Sequence, residues 1–236
     1  GYSFQDRSRS VWDILRTGVP ISVQLQLENY TVVLLVGVPV GIFAALRAGT
    51  QFDTVSSGTS LLFYAIPTFL LVVFFQVIMV FLAKRQLPHL PIAGWEGPFS
   101  VKAIGPVIVL ALVTTAYYLR LTRTSMLEVL HQDYIRTARA KGLQERVVVF
   151  KHGFRNAMIP LVTALGPALA LSVSGAFFTE SGFNIPGIGL IAVGAISQRD
   201  LPVVQGTVVI AATAVVVMNL MADVVYGILD PRIKVV

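Results

Sequence analysis

The sequence predicts an all-α, polytopic membrane protein, and three observations carry that prediction. Charged residues make up 13% of the 236 residues, against roughly 25% in a soluble domain. Hydrophobic residues make up 55% and gather into five runs of roughly 17 residues or more, long enough for a helix to cross a bilayer. Lys and Arg concentrate in alternate connections between those runs, as they do when a chain fixes its orientation in a membrane. Composition also excludes several chemistries. With no Cys there is no disulfide framework, Cys-ligated zinc or thiol nucleophile, and His89, His131 and His152 are too scattered for a metal site. The net charge of +6 sits in loops beside apolar runs, so it orients the chain rather than marking a nucleic-acid surface.

Taken in order, residues 1–22 are polar and mixed, with Asp6, Arg7, Arg9, Asp13 and Arg16 around Trp12, and form an external segment that cannot cross. Tyr2 and Trp12 suit the headgroup level, although an ordinary folded loop accounts for them equally well. The first span is expected at about 23–46, kinked at Pro39 between Gly37 and Gly41. The second, at 55–83, exceeds one crossing, which predicts a helix that tilts or begins before the hydrocarbon, with Pro67 in its middle. Gln76 is its one strongly polar side chain; interhelical packing explains it ahead of a transport path. Residues 84–102 read as a Pro- and Gly-rich loop with Trp95 as an interfacial anchor. The third span, 103–123, places Pro106 near its start, where a missing donor is tolerated, and Tyr117 and Tyr118 in an aromatic belt.

The fourth span, 156–179, is rich in small residues, among them Ala168, Ser172, Ser174 and Gly175, which let helices approach closely. Residues 180–202 contain an apolar run too short to cross and form an external segment. A fifth span at 203–227 leads to a tail at 231–236. Glu28, Glu180 and Asp223 lie near span ends, where an interfacial position or a basic partner spares them the cost of burial. Of the 18 Lys and Arg, one set of loops holds Arg47, the eight from Arg120 to Arg155, Arg232 and Lys234; the other holds seven. Positive charge marks the cytoplasmic face, so residues 124–155 and the C-terminus are expected inside and Gly1 outside. An external start without a signal sequence implies a sixth, N-terminal span preceding this chain.

The basic stretch 124–155 is the informative one. Gln132 to Lys141 contains neither Pro nor Gly and predicts a short helix, which Gly142 stops by allowing a left-handed turn. A second helix is expected from 145 to about 153. Tyr134, Ala138 and Lys141 share one face at spacings of four and three, which suits insertion into a groove of another protein; contact with anionic lipid is the competing reading. No G-x-x-x-x-G-K-[ST] occurs, so the chain holds no nucleotide phosphates of its own, and no nucleophile, acid and base are seen to converge.

YIRTARAKGL followed by FKHGFRNAMIP resembles the cytoplasmic EAA loop of binding-protein-dependent ABC importers, in the form found in dipeptide, oligopeptide and nickel permeases. SMLEVLHQDYIRTARAKGL, FNIPGIGLIAVGAISQRDLPVVQG, NLMADVVYGILDPRI and GYSF are similar to the same branch, so the resemblance covers nearly the whole chain. Where the broad motif reads Glu-Ala-Ala, this chain has Arg136-Thr137-Ala138, and the later Leu-Pro is absent. The resemblance implies a type I ABC importer permease fold and a membrane subunit that is itself no enzyme and holds no cofactor or metal. It further implies a second permease subunit, ABC ATPase subunits that bind ATP and Mg, and an extracytoplasmic substrate-binding protein. Tyr134, Ile135, Arg136, Thr137, Ala138, Arg139, Ala140, Lys141, Gly142 and Leu143 are then the segment that docks on the ATPase. Gln76, Ser172, Ser174 and Asn219 are candidates for the translocation path. Phe183, Asn184, Arg199 and Asp200, in the external segment, are candidates for contact with the binding protein. A short peptide is the implied substrate; nickel or another small solute, and transport without ATPases, are the alternatives.

Overall fold

The computed structural model describes residues 1–173 and 176–229, with side chains for 1–169 and 176–221. In chain order the helices are α1 (Val11–Val32), α2 (Val38–Leu46), α3 (Gln51–Ala65), α4 (Thr68–Lys84), α5 (Val101–Leu130), α6 (Asp133–Ala140), α7 (Glu145–Val147), α8 (Arg155–Val173), α9 (Phe177–Phe183), α10 (Ile188–Ser197) and α11 (Leu201–Leu229). Two π-helical segments, Val33–Gly37 and Val148–Phe154, join α1 to α2 and α7 to α8. Among the described residues, Val11–Leu46, Val101–Leu130 and Leu201–Met221 are long and apolar enough to cross a membrane, and α3 with α4 makes a fourth if a bent pair counts as one span. The expected span 156–179 runs across residues 174 and 175, and the expected tail 231–236 follows 229, so both fall at least partly outside the described residues.

Local sequence explains where these elements differ from expectation. α1 begins at Val11 rather than near 23. The Ser10 hydroxyl accepts the Asp13 N–H at 3.1 Å and donates to the Asp13 carboxylate at 2.6 Å, an N-terminal cap with an acidic residue in the first turn. Just before Pro39, where a kink was expected, the backbone widens into the π-helical turn Val33–Gly37, one of the ways a helix absorbs an insertion in its hydrogen-bond ladder. In place of one tilted helix at 55–83, α3 and α4 meet at a 99° bend. Pro67 sits there in an extended conformation, φ −57° and ψ 136°; it has no N–H to donate and disfavours helix at Ile66 before it.

The chain divides into two compact units. The first comprises Gly1–Tyr30, Ile66–Ala111 and Pro167–Leu220. Its apolar centre is Leu15, Ile188, Ala195 and Val203, with Val11, Ile14, Val19, Ile191, Val204 and Ile210 around them. Phe183 on α9 is fully buried and meets Phe75 on α4 with ring centres 5.4 Å apart; burying a ring of that size contributes about 2–3 kcal/mol. The second unit comprises Thr31–Ala65, Leu112–Gly166 and Met221–Val236. Val38, Ile42, Ala45, Met126, Val149, Ala157 and Leu161 form its centre.

Candidate functional site

Helix α6 stands apart from the apolar elements, and its sequence explains its limits. Gln132 before it is extended, φ −70° and ψ 150°, which separates α6 from α5. Asp133 occupies the first turn, where a negative charge favours the helix dipole, and its carbonyl accepts the Thr137 hydroxyl at 3.0 Å. At the other end Gly142 has φ +75°, the left-handed conformation that a residue with a Cβ adopts at a cost of about 1 kcal/mol. Its N–H donates to the Arg139 carbonyl at 2.9 Å.

The inward face of α6 is Ile135 and Ala138, 0% and 7% exposed, packed on Val148 with Leu130 beside them. This corrects the expected grouping of Tyr134, Ala138 and Lys141. Positions 135 and 138 are as close on a helix as 134 and 138, and Ile135, the one large aliphatic side chain in α6, takes the core. The outward surface is therefore Tyr134, Arg136, Thr137, Arg139, Ala140 and Lys141, followed by Gly142 and Leu143, all exposed. Two polar ties brace it. Arg139 donates through Nε and Nη2 to Glu145 at 3.2 and 2.8 Å, and Asn156 Nδ2 donates to the Tyr134 hydroxyl at 2.9 Å. The Arg139–Glu145 pair is solvent-exposed, so it fixes geometry more than it stabilises. The expected second helix does not stop at Gly153; α7 runs through Val148–Phe154 into α8, so the last part of this connection is continuous helix.

The external candidates separate into two kinds. Asn184 and Arg199 are exposed at left-handed turns, φ 52° and 57°. Phe183 and Asp200 are buried, at 0% and 4% exposure, and do not offer side chains to a partner. Phe183 is held by Phe75. Asp200 accepts the Ser3 hydroxyl and the Phe4 N–H, the latter at 3.1 Å, and so ties the start of the chain to the turn before α11. Burial pushes the Asp200 carboxyl up, but the hydrogen bonds from Ser3, Phe4, Gln5 and Val203 outweigh it and hold the group below the usual Asp range. Because the folded value is lowered, the stability this group contributes is complete above the unfolded value of about 4 and is lost as pH falls toward the folded value. The gap in thermal stability between wild type and Asp200→Asn is expected to narrow across that window; a gap that stays constant down to about pH 3 contradicts the assignment.

Two of the four path candidates have described side chains. Gln76 Nε2 donates to the Gly182 carbonyl at 2.7 Å and the Ile92 carbonyl at 3.2 Å, so it braces α4 against α9 and the following loop. Asn219 is exposed on α11. The Ser172 side chain and all of Ser174 lie outside the described residues.

Three polar nodes were not legible as pairs in the sequence. Glu180 is fully buried and accepts from the Ser22 hydroxyl at 2.8 Å, the Gly189 N–H at 2.7 Å and the Ala176 N–H at 2.9 Å. It caps α10 with backbone partners, where an interfacial position or a basic partner was the expectation. Gly187 leaves room for it, since a Cβ there would collide with the Glu180 carboxylate. Glu28 is also buried and accepts the Phe99 N–H at 3.0 Å. Asp53, at the start of α3, accepts both Nε and Nη2 of Arg123, the second at 2.8 Å, and the Gly49 N–H at 2.9 Å.

Comparison with known proteins joins this geometry to a family. Residues 37–235 match the family described as binding-protein-dependent transport system inner membrane component. The chain is 39% identical over 234 residues to the dipeptide transport system permease protein DppB of Bacillus subtilis, a match covering 99% of this chain and 74% of that one. It is 34% identical to the oligopeptide transport system permease protein OppB of Haemophilus influenzae, over 99% of this chain and 75% of that one. Among solved structures it is similar to the inward-facing MetNI methionine ABC transporter, with a TM-score of 0.69 and 19% identity over 92% of this chain and 96% of that one. An amino acid ABC transporter aligns with a TM-score of 0.65 and 16% identity over 89% and 92%. At those identities the structural likeness shows the fold.

Proposed function

Because this chain belongs to the family of binding-protein-dependent transport system inner membrane components, we propose that it is the permease subunit of an ATP-driven importer of di- or oligopeptides. It forms one half of a translocation pathway whose other half is a second permease. The names of its relatives, dipeptide and oligopeptide permeases, support the substrate class. One observation carries the coupling role. α6 is fixed to its own unit by Ile135 and Ala138 while Tyr134, Arg136, Thr137, Arg139, Ala140 and Lys141 face outward with no apolar cover. A force on that surface is transmitted, not absorbed, because the Arg139–Glu145 and Tyr134–Asn156 ties link α6 to α7 and to the first turn of α8.

In this reading α6 and the C-terminus lie in the cytoplasm, and ATP and Mg bind to separate ATPase subunits that receive α6. ATP-driven closure of those subunits moves α6 as a lever and opens the pathway outward, and hydrolysis resets it. An extracytoplasmic binding protein delivers peptide on the opposite side, where Asn184 and Arg199 are the exposed candidates for contact. Ala140→Trp tests the docking surface, because Ala140 is exposed and a bulky ring there obstructs a partner without entering the core of this chain. In the assembled complex, peptide-stimulated ATP hydrolysis and peptide uptake are expected to fall at least about tenfold, a loss of about 1.4 kcal/mol at the interface, with assembly intact. Undiminished coupling in an intact complex contradicts the assignment.

A further inference from the structure

Arg120 and Arg123 stand three residues apart on α5, and they are used differently. Arg123 spends its guanidinium on Asp53 through two nitrogens. Arg120 is exposed, and among the described residues no carboxylate pairs with it. Its guanidinium carbon lies 5.9 Å from the centre of the Tyr64 ring. Arg120 lines two hollows in the same unit. One, of about 310 Å³, is walled by Tyr64, Tyr117, Leu121 and Thr124; the other, of about 340 Å³, by Ser57, Gly58, Leu61, Arg123 and Thr124. The Tyr64 and Tyr117 rings stack at 6.1 Å, and the buried Tyr118 ring meets Tyr117 edge-on at 5.1 Å, so the aromatic wall is held in place.

Resting on the peptide-importer reading, we propose that Arg120 receives the terminal carboxylate of a peptide in transit, with the Tyr64–Tyr117 wall bordering the hollow that takes the adjoining residue. A guanidinium presents two parallel N–H donors that match a carboxylate. Each hollow is near the lower limit of small-ligand pockets, about 300 Å³, which suits one or two residues and not a large folded ligand. The chemistry favours the carboxyl end over the ammonium end. Neither hollow is lined by a carboxylate, and Asp53, the nearby acid, is committed to Arg123. Every unmodified linear peptide ends in a carboxylate whatever its sequence, and stacked rings give a wall that tolerates many side chains. This is a means of holding peptides without selecting among them. α5, which carries Arg120, ends at Leu130, two residues before α6 begins.

The test uses the assembled permease–ATPase complex in nanodiscs without binding protein, with radiolabelled trialanine and trialanine amide as probes in equilibrium dialysis. Wild type is expected to hold the free acid about tenfold more tightly than the amide, the ratio that one charge-assisted pair supplies. Arg120→Gln is expected to remove the preference by weakening the acid alone, and Arg120→Lys to retain part of it. Co-elution of the permease and ATPase subunits on size-exclusion chromatography reports that the variants are assembled. No acid preference in wild type, or an Arg120→Gln ratio equal to wild type, overturns the proposal. A second arm compares nanodiscs of phosphatidylcholine alone with nanodiscs containing phosphatidylglycerol. Displacement of trialanine by phosphatidylglycerol, with less of that lipid retained by Arg120→Gln, assigns the site to a lipid headgroup and also overturns it. Peptide uptake by the complete importer separates the two levels. Uptake with an unchanged ratio defeats only this inference, whereas absence of peptide uptake defeats the functional reading beneath it.

Discussion

Glu180→Ala is expected to lower the melting temperature of the detergent-solubilised protein by about 10 °C, corresponding to about 4 kcal/mol in a chain of this size. The carboxylate is fully buried and accepts the Ser22 hydroxyl and the N–H groups of Gly189 and Ala176. Truncation leaves these donors without their acceptor in a dry site, and each orphaned buried group costs roughly 1–3 kcal/mol. The Ser22 hydroxyl also accepts the Ile188 N–H at 2.9 Å, so α1 and the start of α10 loosen together. Glu180→Gln keeps the shape and one acceptor oxygen and is expected to lose about half as much. Equal stability of Glu180→Ala and wild type contradicts a structural role for the node.

Asp53→Leu is expected to cost about 3 kcal/mol, the lower end of the range for removing one partner of a buried pair. The Asp53 side chain is 6% exposed and that of Arg123 28%, so water reaches the stranded guanidinium only in part. The change also frees the Gly49 N–H and Ser57 hydroxyl, which Asp53 accepts at 2.9 and 3.3 Å, and so releases the turn between α2 and α3. Asp53→Leu combined with Arg123→Leu is expected to be more stable than Asp53→Leu alone, because no buried charge is then left without a partner. A cycle in which the two substitutions simply add, measured by chemical unfolding, rules out the pair as a coupled unit.

The sequence showed the parts of the fold that depend on local composition. Apolar runs located most of the helical mass, and Gly142 marked the end of α6 because a left-handed position leaves a visible residue type. What it could not show depended on distant partners. Length alone cannot separate a long tilted helix from two helices bent at Pro67. Ile135 with Ala138 and Tyr134 with Ala138 are equally good helical faces, and only Val148 and Leu130 decide which is inward. Phe183 and Asp200 look external by position but are buried by Phe75 and Ser3, from far along the chain. Glu180 is satisfied mainly by backbone donors, which no side-chain pattern announces, and the partner of Asp53 lies 70 residues away.

The absence of Cys from the chain permits a direct measurement of the central claim that the outward face of α6 docks on an ATPase subunit. Single cysteines are placed at Ala140, exposed on α6, and at Phe99, 83% exposed and the most exposed large apolar residue among the described residues, in the loop before α5. Each variant is treated in the assembled importer with a short thiol-to-amine crosslinker. Capture of the ATPase subunit from Ala140→Cys and none from Phe99→Cys is the predicted result. No capture from position 140 in a complex that retains its ATPase, or equal capture from position 99, contradicts the account.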